Sequence, residues 1–160
     1  MNLMSETLRT AICEQIAHER HNASTYLFIA SYLKNKGLDN VAKHFTGQHT
    51  EETEHSLEFV GLLTDMNASV NIFPLPGGDF PINVMRDISD MYLLREKLTT
   101  DSIHEIKMLA MQDENAVVEE MMRRMIAKQQ VEYEEATSFA DKAELMPEWW
   151  QWALYDGAMG

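Results

Sequence analysis

An acidic run that ends in a histidine interrupts the apolar face of a predicted helix between residues 41 and 66. The run is Glu51-Glu52-Thr53-Glu54-His55. Apolar residues recur every three or four positions on both sides of it, and this period places Glu52 and His55 in the apolar seam. Charged groups buried in a seam need a compensating charge. The chain is therefore predicted to fold around an internal polar site.

Three further predicted helices show the same kind of interruption near their middles. Glu19 stands in the first seam, Glu96 in the third, and the pair Gln129-x-x-Glu132 in the fourth. Because a helix rises about 1.5 Å per residue, these interruptions fall at similar depths whichever way each helix points. Inward Glu-x-x-His pairs are one means by which helical bundles hold paired iron or manganese ions.

The spacing of helix starts and stops predicts an all-α fold in one domain, residues 1–160. Gly37 ends the first helix and Asp39 is the expected N-cap of the second, so the two form an antiparallel hairpin. Residues 67–82 have no helical period, and they are long enough to cross the whole bundle. A four-helix bundle with one long crossover is favoured, and an ordinary up-down bundle remains the alternative. The predicted helices span about 5–36, 39–66, 83–111, 115–144 and 147–156.

The fifth predicted helix is short and rich in tryptophan. Trp149, Trp150 and Trp152 cannot all face the same way in a helix of this length. Some of these side chains must therefore meet another surface, either the protomer's own bundle or a neighbouring subunit.

Charge balance favours two metal ions. Two divalent cations would neutralise Glu19, Glu52, Glu96 and Glu132, with His55 and Gln129 neutral. Buried ionised groups without such compensation carry a desolvation penalty of several kcal/mol each. Oxygen-rich ligation with one imidazole suits iron or manganese better than structural zinc.

The overall composition narrows the partners. A net charge of −13 disfavours nucleic acid and anionic membrane surfaces. Cys13 is the single cysteine, so a disulfide framework and a Cys-x-x-Cys metal site are excluded. Neither a signal-peptide pattern nor a long apolar run is present, which favours the cytoplasm, although a trimmed targeting segment would leave no trace here.

The interrupted seams resemble the ferroxidase centre of the non-haem ferritins over residues 5 to about 144. The motifs that carry the resemblance are Glu19 with Tyr26, Glu52-x-x-His55, Glu96, and Gln129-x-x-Glu132. The resemblance implies a ferritin-like four-helix bundle. By the same resemblance, Glu19 and His55 are ligands of a first iron, Glu52 bridges the two ions, and Glu96 and Glu132 hold the second. Gln129 would line the oxygen side and Tyr26 would lie nearby as a phenol.

Departures from related patterns refine this expectation. Haem is not expected, because Thr53 and Glu132 stand where a haem-binding bacterioferritin has methionine and histidine. Lys128 and Val131 stand where bacterial ferritins carry carboxylates of a third iron site. Glu51 and Glu54 resemble the acidic patch that passes iron onward in animal ferritins, although a solvated helix face explains them nearly as well. The other histidines fall off the seams and are expected to pack or to face solvent: His18, His21, His44, His49 and His104.

The resemblance implies a function. A chain of this kind would bind two Fe(II) per subunit, oxidise them with O2 or H2O2, and store Fe(III) as a mineral inside a shell of 24 subunits. Glu114, Glu119 and Glu120 are weak candidates for an acidic iron entry. The alternatives are a discrete di-iron or di-manganese oxidase without storage, which lacks a second domain for a substrate pocket, and a metal-free interaction bundle, which the buried charges disfavour.

Overall fold

The structure, a computed structural model, describes residues 4–159 of the chain. This part of the chain forms five helices and no strand. Four long helices form a bundle and a short fifth helix follows them. They are α1 Glu6–Asn35, α2 Asp39–Asp65, α3 Met85–Gln112, α4 Ala116–Leu145 and α5 Trp149–Met159. No helix in this part is long and apolar enough to span a bilayer.

Local signals explain how the first hairpin forms. The hydroxyl of Ser5 accepts a 3.1 Å hydrogen bond from the backbone N–H of Leu8 and so caps the start of α1. At the other end of α1, Gly37 has φ +80°, a backbone conformation that residues with a side chain rarely adopt. The backbone N–H of Leu38 donates a hydrogen bond to the carbonyl of Leu33. This tight end reverses the chain into α2.

The crossover between α2 and α3 runs along the length of α1. Near its start Arg9 donates to the carbonyl of Ser69 at 3.0 Å, and near its end the Tyr32 hydroxyl donates to the carbonyl of Ile82 at 3.3 Å. In between, a Cβ on Gly78 would lie 2.7 Å from the backbone of Ser24, so only glycine fits. The predicted bundle with one long crossover is therefore confirmed.

The apolar core is divided into two clusters. One contains the aromatic residues Tyr26, Phe45, Tyr92 and Phe139 together with Trp152 of α5. The other is mainly aliphatic and contains residues such as Leu8, Ile12 and Ile106, together with Phe59. All four long helices also contribute buried polar residues, which lie around the middle of each helix. They form a polar layer across the middle of the bundle.

Helix α5 docks on its own bundle. Trp152 is 1% exposed, and its indole N–H donates to the carbonyl of Met146 at 2.7 Å. The carboxylate of Asp156 accepts a 2.7 Å hydrogen bond from the N–H of Val41. Asp39, the expected cap of α2, is instead its first helical residue, and the N-cap Leu38 makes no side-chain cap. Asp156 thus caps α2 from a distant element, while Trp150 remains 63% exposed.

Candidate metal centre

Four carboxylates and one imidazole from the four long helices meet in the polar layer. Nδ1 of His55 lies 3.9 Å from Glu19 Oε2 and 3.9 Å from Glu52 Oε1. Glu96 and Glu132 complete the cluster from α3 and α4. Glu19, Glu52, Glu96 and Glu132 are each at most 5% exposed. The seam positions of these residues thus bring them to one place, as their helical spacing predicts.

The cluster contains two overlapping groups of possible metal ligands. Glu19, Glu52 and His55 form one group, and Glu52, Glu96 and Glu132 form the other. Within each group, one ligand atom per residue lies within 4.8 Å of the others. Because Glu52 belongs to both groups, its carboxylate is placed to bridge two neighbouring ions.

Several buried carboxylate oxygens in the cluster have no hydrogen-bond donor. These are Glu19 Oε2, Glu52 Oε1 and both oxygens of Glu132. Buried polar atoms are almost always satisfied in folded proteins, because leaving one unpaired costs about 1–3 kcal/mol and more for a charged group. A set of unsatisfied oxygens that share one place fits coordination of cations, and hard oxygen donors with one imidazole fit iron or manganese.

The pKa values of the cluster residues reflect their burial close to one another. Burial, followed by the charge of Glu19, raises the pKa of Glu52 to about 8. Burial and then the charge of Glu52 raise the pKa of Glu96 to about 7, and burial and the adjacent Glu51 raise that of Glu132 to about 10. Burial alone would lower the pKa of His55, but Glu19 and Glu52 more than offset this and raise it to about 11. A bound cation would displace these protons.

Glu96 differs from the other carboxylates because both of its oxygens have a donor. The Tyr26 hydroxyl donates to Oε1 at 2.6 Å, and Nε2 of Gln129 donates to Oε2 at 2.6 Å. Each carboxylate oxygen carries a second lone pair, so Glu96 can still bind a metal ion. In this arrangement Tyr26 and Gln129 orient Glu96 through their donor atoms.

Two buried amides that were not predicted as site residues hold the carboxylates on α1 and α2. Nε2 of Gln15 donates to Glu19 Oε1 at 2.8 Å, and Nδ2 of Asn22 lies 3.3 Å from Glu52 Oε2. Both amides share the helical face of Glu19, four positions before it and three after it. That spacing is the sequence signal that could have identified them.

A buried arginine lies behind Asn22. Nε of Arg95 donates to Asn22 Oδ1 at 2.6 Å, and its Nη2 lies 3.2 Å from His18 Nδ1. Nε2 of His18 lies 2.6 Å from the Thr99 hydroxyl. Burial, then the charge of Arg95, lower the pKa of His18 to about 4, so this imidazole is neutral. His18 thus has a buried packing role, one of the two roles expected from its position off the seam.

Glu51 and Glu54 lie beside the cluster. Glu51 Oε1 is 4.0 Å from His55 Nε2, and Glu51 forms a third possible ligand group with His55 and Glu132. Glu54 is exposed and is not part of any of the three groups. Both glutamates line a surface cavity of about 400 Å³, which Lys128 and Val131 also line.

The remaining described histidines that carry hydrogen bonds make them away from the cluster. His44 Nε2 lies 3.1 Å from the Tyr92 hydroxyl, and His49 Nδ1 lies 2.8 Å from the carbonyl of Ala23. These contacts are the packing roles expected from their positions off the seam.

A four-helix bundle with one long crossover and a carboxylate-rich, two-ion type cluster at mid-depth defines the ferritin-like class. The chain matches the family model described as "Ferritin-like domain" over residues 9–146. This protein therefore belongs to the ferritin family.

Relatives and solved structures agree with the family. The chain is 31% identical over 122 residues to Ferritin BfrB of Mycobacterium tuberculosis, covering 74% of this chain and 65% of that protein. It is 32% identical over 124 residues to Ferritin BfrB of Mycolicibacterium smegmatis, covering 76% of this chain and 66% of that protein. The chain thus spans just under two thirds of the length of these relatives.

The fold is similar to that of an open pore ferritin from Archaeoglobus fulgidus, with a TM-score of 0.84 and 24% identity over 92% of this chain and 90% of the other. A humanized archaeal ferritin gives a TM-score of 0.86 with 23% identity over 91% of this chain and 89% of the other.

Proposed function

We propose that this chain is an iron-storage ferritin whose cluster oxidises Fe(II). The observation that carries the proposal is the set of unsatisfied buried oxygens on Glu19, Glu52 and Glu132 beside His55. Such an arrangement is costly for a metal-free core and is relieved by cations. Membership of the ferritin family and the similarity to BfrB ferritins support storage of iron rather than of another metal.

Each residue has a separate role in binding the iron substrate. Glu19 and His55 would hold one Fe(II), Glu96 and Glu132 the second, and Glu52 would bridge them. Tyr26 and Gln129 keep Glu96 in place by their hydrogen bonds. The protein thereby fixes the distance between two ions that react as a pair.

The oxidation balances as a two-electron step. Two Fe(II) each lose one electron, and O2 with two protons becomes H2O2, or H2O2 with two protons becomes two water molecules. The pKa values of Glu52, Glu96 and Glu132 are raised, so these groups release protons when Fe(II) binds.

We also propose that the chain assembles into a hollow shell of 24 copies that holds the ferric mineral. The support is the family and the fold, which match ferritins over nearly the whole chain. The exposed Trp150 and several other exposed apolar side chains offer surface for subunit contacts.

Three measurements on one preparation test the proposal. Anaerobic titration is expected to show two Fe(II) bound per subunit, and O2 consumption is expected to follow on exposure to air. Sedimentation should give a particle mass far above the 18.4 kDa of one chain. A stable monomer or dimer that oxidises iron would favour the discrete oxidase. A large particle that leaves Fe(II) unoxidised would show that the cluster does not catalyse the oxidation.

A further inference from the structure

Arg95 is a buried cation on α3. It is 8% exposed, it precedes Glu96 on α3, and its hydrogen bonds go to the neutral groups Asn22 and His18. Among the described residues it forms no ion pair within 4.0 Å. A buried charge without a direct ionic partner is expensive, so the presence of Arg95 inside the bundle calls for a role.

The hydrogen bonds around Arg95 form a ring through Asn22 and Thr99, and the amide of Asn22 also reaches Glu52. The Thr99 hydroxyl donates to the carbonyl of Arg95 at 2.9 Å, which leaves its oxygen to accept from Nδ2 of Asn22 at 2.9 Å. Asn22 accepts from Arg95 through Oδ1 and points its amide at Glu52 Oε2. One amide therefore separates the guanidinium from the carboxylate that is placed to bridge the ions.

The same network holds the positive charge in position. Nδ1 of His18 accepts from Arg95, so His18 cannot share the charge, and its Nε2 is bonded to Thr99. The guanidinium cannot reorient toward solvent without breaking bonds to both Asn22 and His18. The cluster thus operates beside a fixed charge of +1.

We propose that Arg95 is a positioning residue whose fixed charge weakens the hold of the cluster on trivalent ions more than on divalent ions, so that Fe(III) leaves after oxidation. This inference rests on the proposed function. The physical reason is that repulsion between Arg95 and a bound ion grows with the charge of the ion, while the ligand carboxylates are the same before and after oxidation. At an effective dielectric near 20 and over a separation on the order of 12 Å, the difference corresponds to roughly a tenfold change in affinity for each extra unit of ion charge.

Ions that do not change oxidation state separate this effect from catalysis. Binding of Zn(II) and of Tb(III) to the iron-free particle is measured by calorimetry for the parent and for Arg95→Gln. We expect the variant to bind both ions more tightly, with a gain for Tb(III) roughly tenfold larger than the gain for Zn(II). With iron, it should oxidise the first two Fe(II) per subunit but recover slowly before a second addition.

Matched variants identify the cause. Arg95→Lys keeps the charge and should keep the parent Tb(III)-to-Zn(II) ratio. Arg86→Gln removes an equal charge from the exposed start of α3 and should change nothing. If Arg95→Gln does not fold, Arg95→Met removes the same charge with an unbranched side chain that suits a buried position, leaves the amide of Asn22 on Glu52, and should also raise the preference for Tb(III).

The possible outcomes are distinct. An Arg95→Gln variant whose Tb(III)-to-Zn(II) affinity ratio equals that of the parent would overturn the inference. An Arg95→Lys variant that behaves like Arg95→Gln would also overturn it. A parent particle that binds neither Zn(II) nor Fe(II) at two per subunit would instead overturn the proposed function. The two failures are therefore distinguishable in the same titrations.

Discussion

The Tyr26 hydroxyl donates a 2.6 Å hydrogen bond to Glu96 Oε1, which joins the first hairpin of the bundle to the second. Both side chains are fully buried, and the Tyr26 ring packs edge-on against Tyr92 at 5.4 Å in the aromatic cluster. Burial, followed by the charge of Glu96, raises the pKa of Tyr26 well above its usual value, so the phenol stays protonated and acts as a donor. The aromatic cluster therefore fixes one wall of the candidate metal centre.

Replacing Glu52 should disable both ion positions together. Glu52 belongs to both ligand groups, so Glu52→Ala removes a ligand from each. Loss of a residue that merely supports a metal ligand costs about 10–100-fold in affinity or activity, and loss of a shared ligand should exceed that. Anaerobic Fe(II) titration and stopped-flow oxidation measure the effect. Glu144→Ala, an exposed change on α4, is the matched control, and a Glu52→Ala protein that oxidises iron at the parent rate would contradict the assignment.

The acidic residues on the outer side of α2 should act after the first oxidation. Glu51 and Glu54 line the cavity beside the cluster. Glu51→Ala with Glu54→Ala is expected to leave oxidation of the first two Fe(II) per subunit nearly intact and to slow later turnovers and mineral growth by about tenfold. Stopped-flow absorbance at low and high iron loading separates the two phases.

A control for that pair removes the same charge elsewhere. Asp101→Ala with Glu105→Ala takes two exposed carboxylates from α3 and should leave both phases unchanged. Equal slowing of both phases in the Glu51 and Glu54 variant would show that these residues support the centre itself. Unchanged mineral growth would show that Glu51 and Glu54 are only solvated residues on the face of the helix.

The iron-free protein should lose stability as the pH rises. Folding raises the pKa of Glu52 to about 8 and that of Glu96 to about 7, so the folded chain keeps protons that the unfolded chain releases near pH 4.5. The stability that comes from these retained protons is fully present below about pH 4.5 and is lost as the pH rises through 7 to 8. The loss for each group is about 1.4 kcal/mol for every pH unit that separates its folded and unfolded pKa values. The pKa of His55 is raised to about 11, and its contribution is also lost as the pH rises.

Thermal unfolding between pH 5 and pH 9 measures this dependence. Added Zn(II) should raise the Tm more at pH 8 than at pH 6, because the ion competes with protons for the same oxygens. A Tm of the iron-free protein that rises steadily over this range would contradict the ionisation described for the cluster.

Two of the three tryptophans of α5, Trp150 and Trp152, should differ strongly in their effect on stability. Trp152 is buried in the aromatic cluster, so Trp152→Ala is expected to lower the free energy of unfolding by about 3–5 kcal/mol. Trp150 is exposed, so Trp150→Ala should change it by less than about 0.5 kcal/mol. Denaturant unfolding and sedimentation distinguish stability from assembly. A smaller particle with unchanged protomer stability in Trp150→Ala would place this residue at a subunit contact.

Much of the candidate centre could be predicted because helical period and burial are local properties. Glu19, Glu52, His55 and Glu96 each stand in a seam, and a seam position on a bundle helix faces inward whatever its neighbours are. The bundle with its long crossover followed from the length of the loop at 67–82. These predictions required only one helix or one loop at a time.

The residues that the sequence did not reveal depend on how helices face one another. Arg95 lies next to Glu96 and off the seam, and it is buried because the side chain of Asn22 on α1 meets it there. Asp156 caps α2 only because α5 folds back onto the start of that helix. The sequence by itself determined which side chains enter the bundle, since that depends on the period of each helix. Only the tertiary structure decided which of them become partners, because a hydrogen bond between helices depends on their rotation and offset, which no single helix specifies.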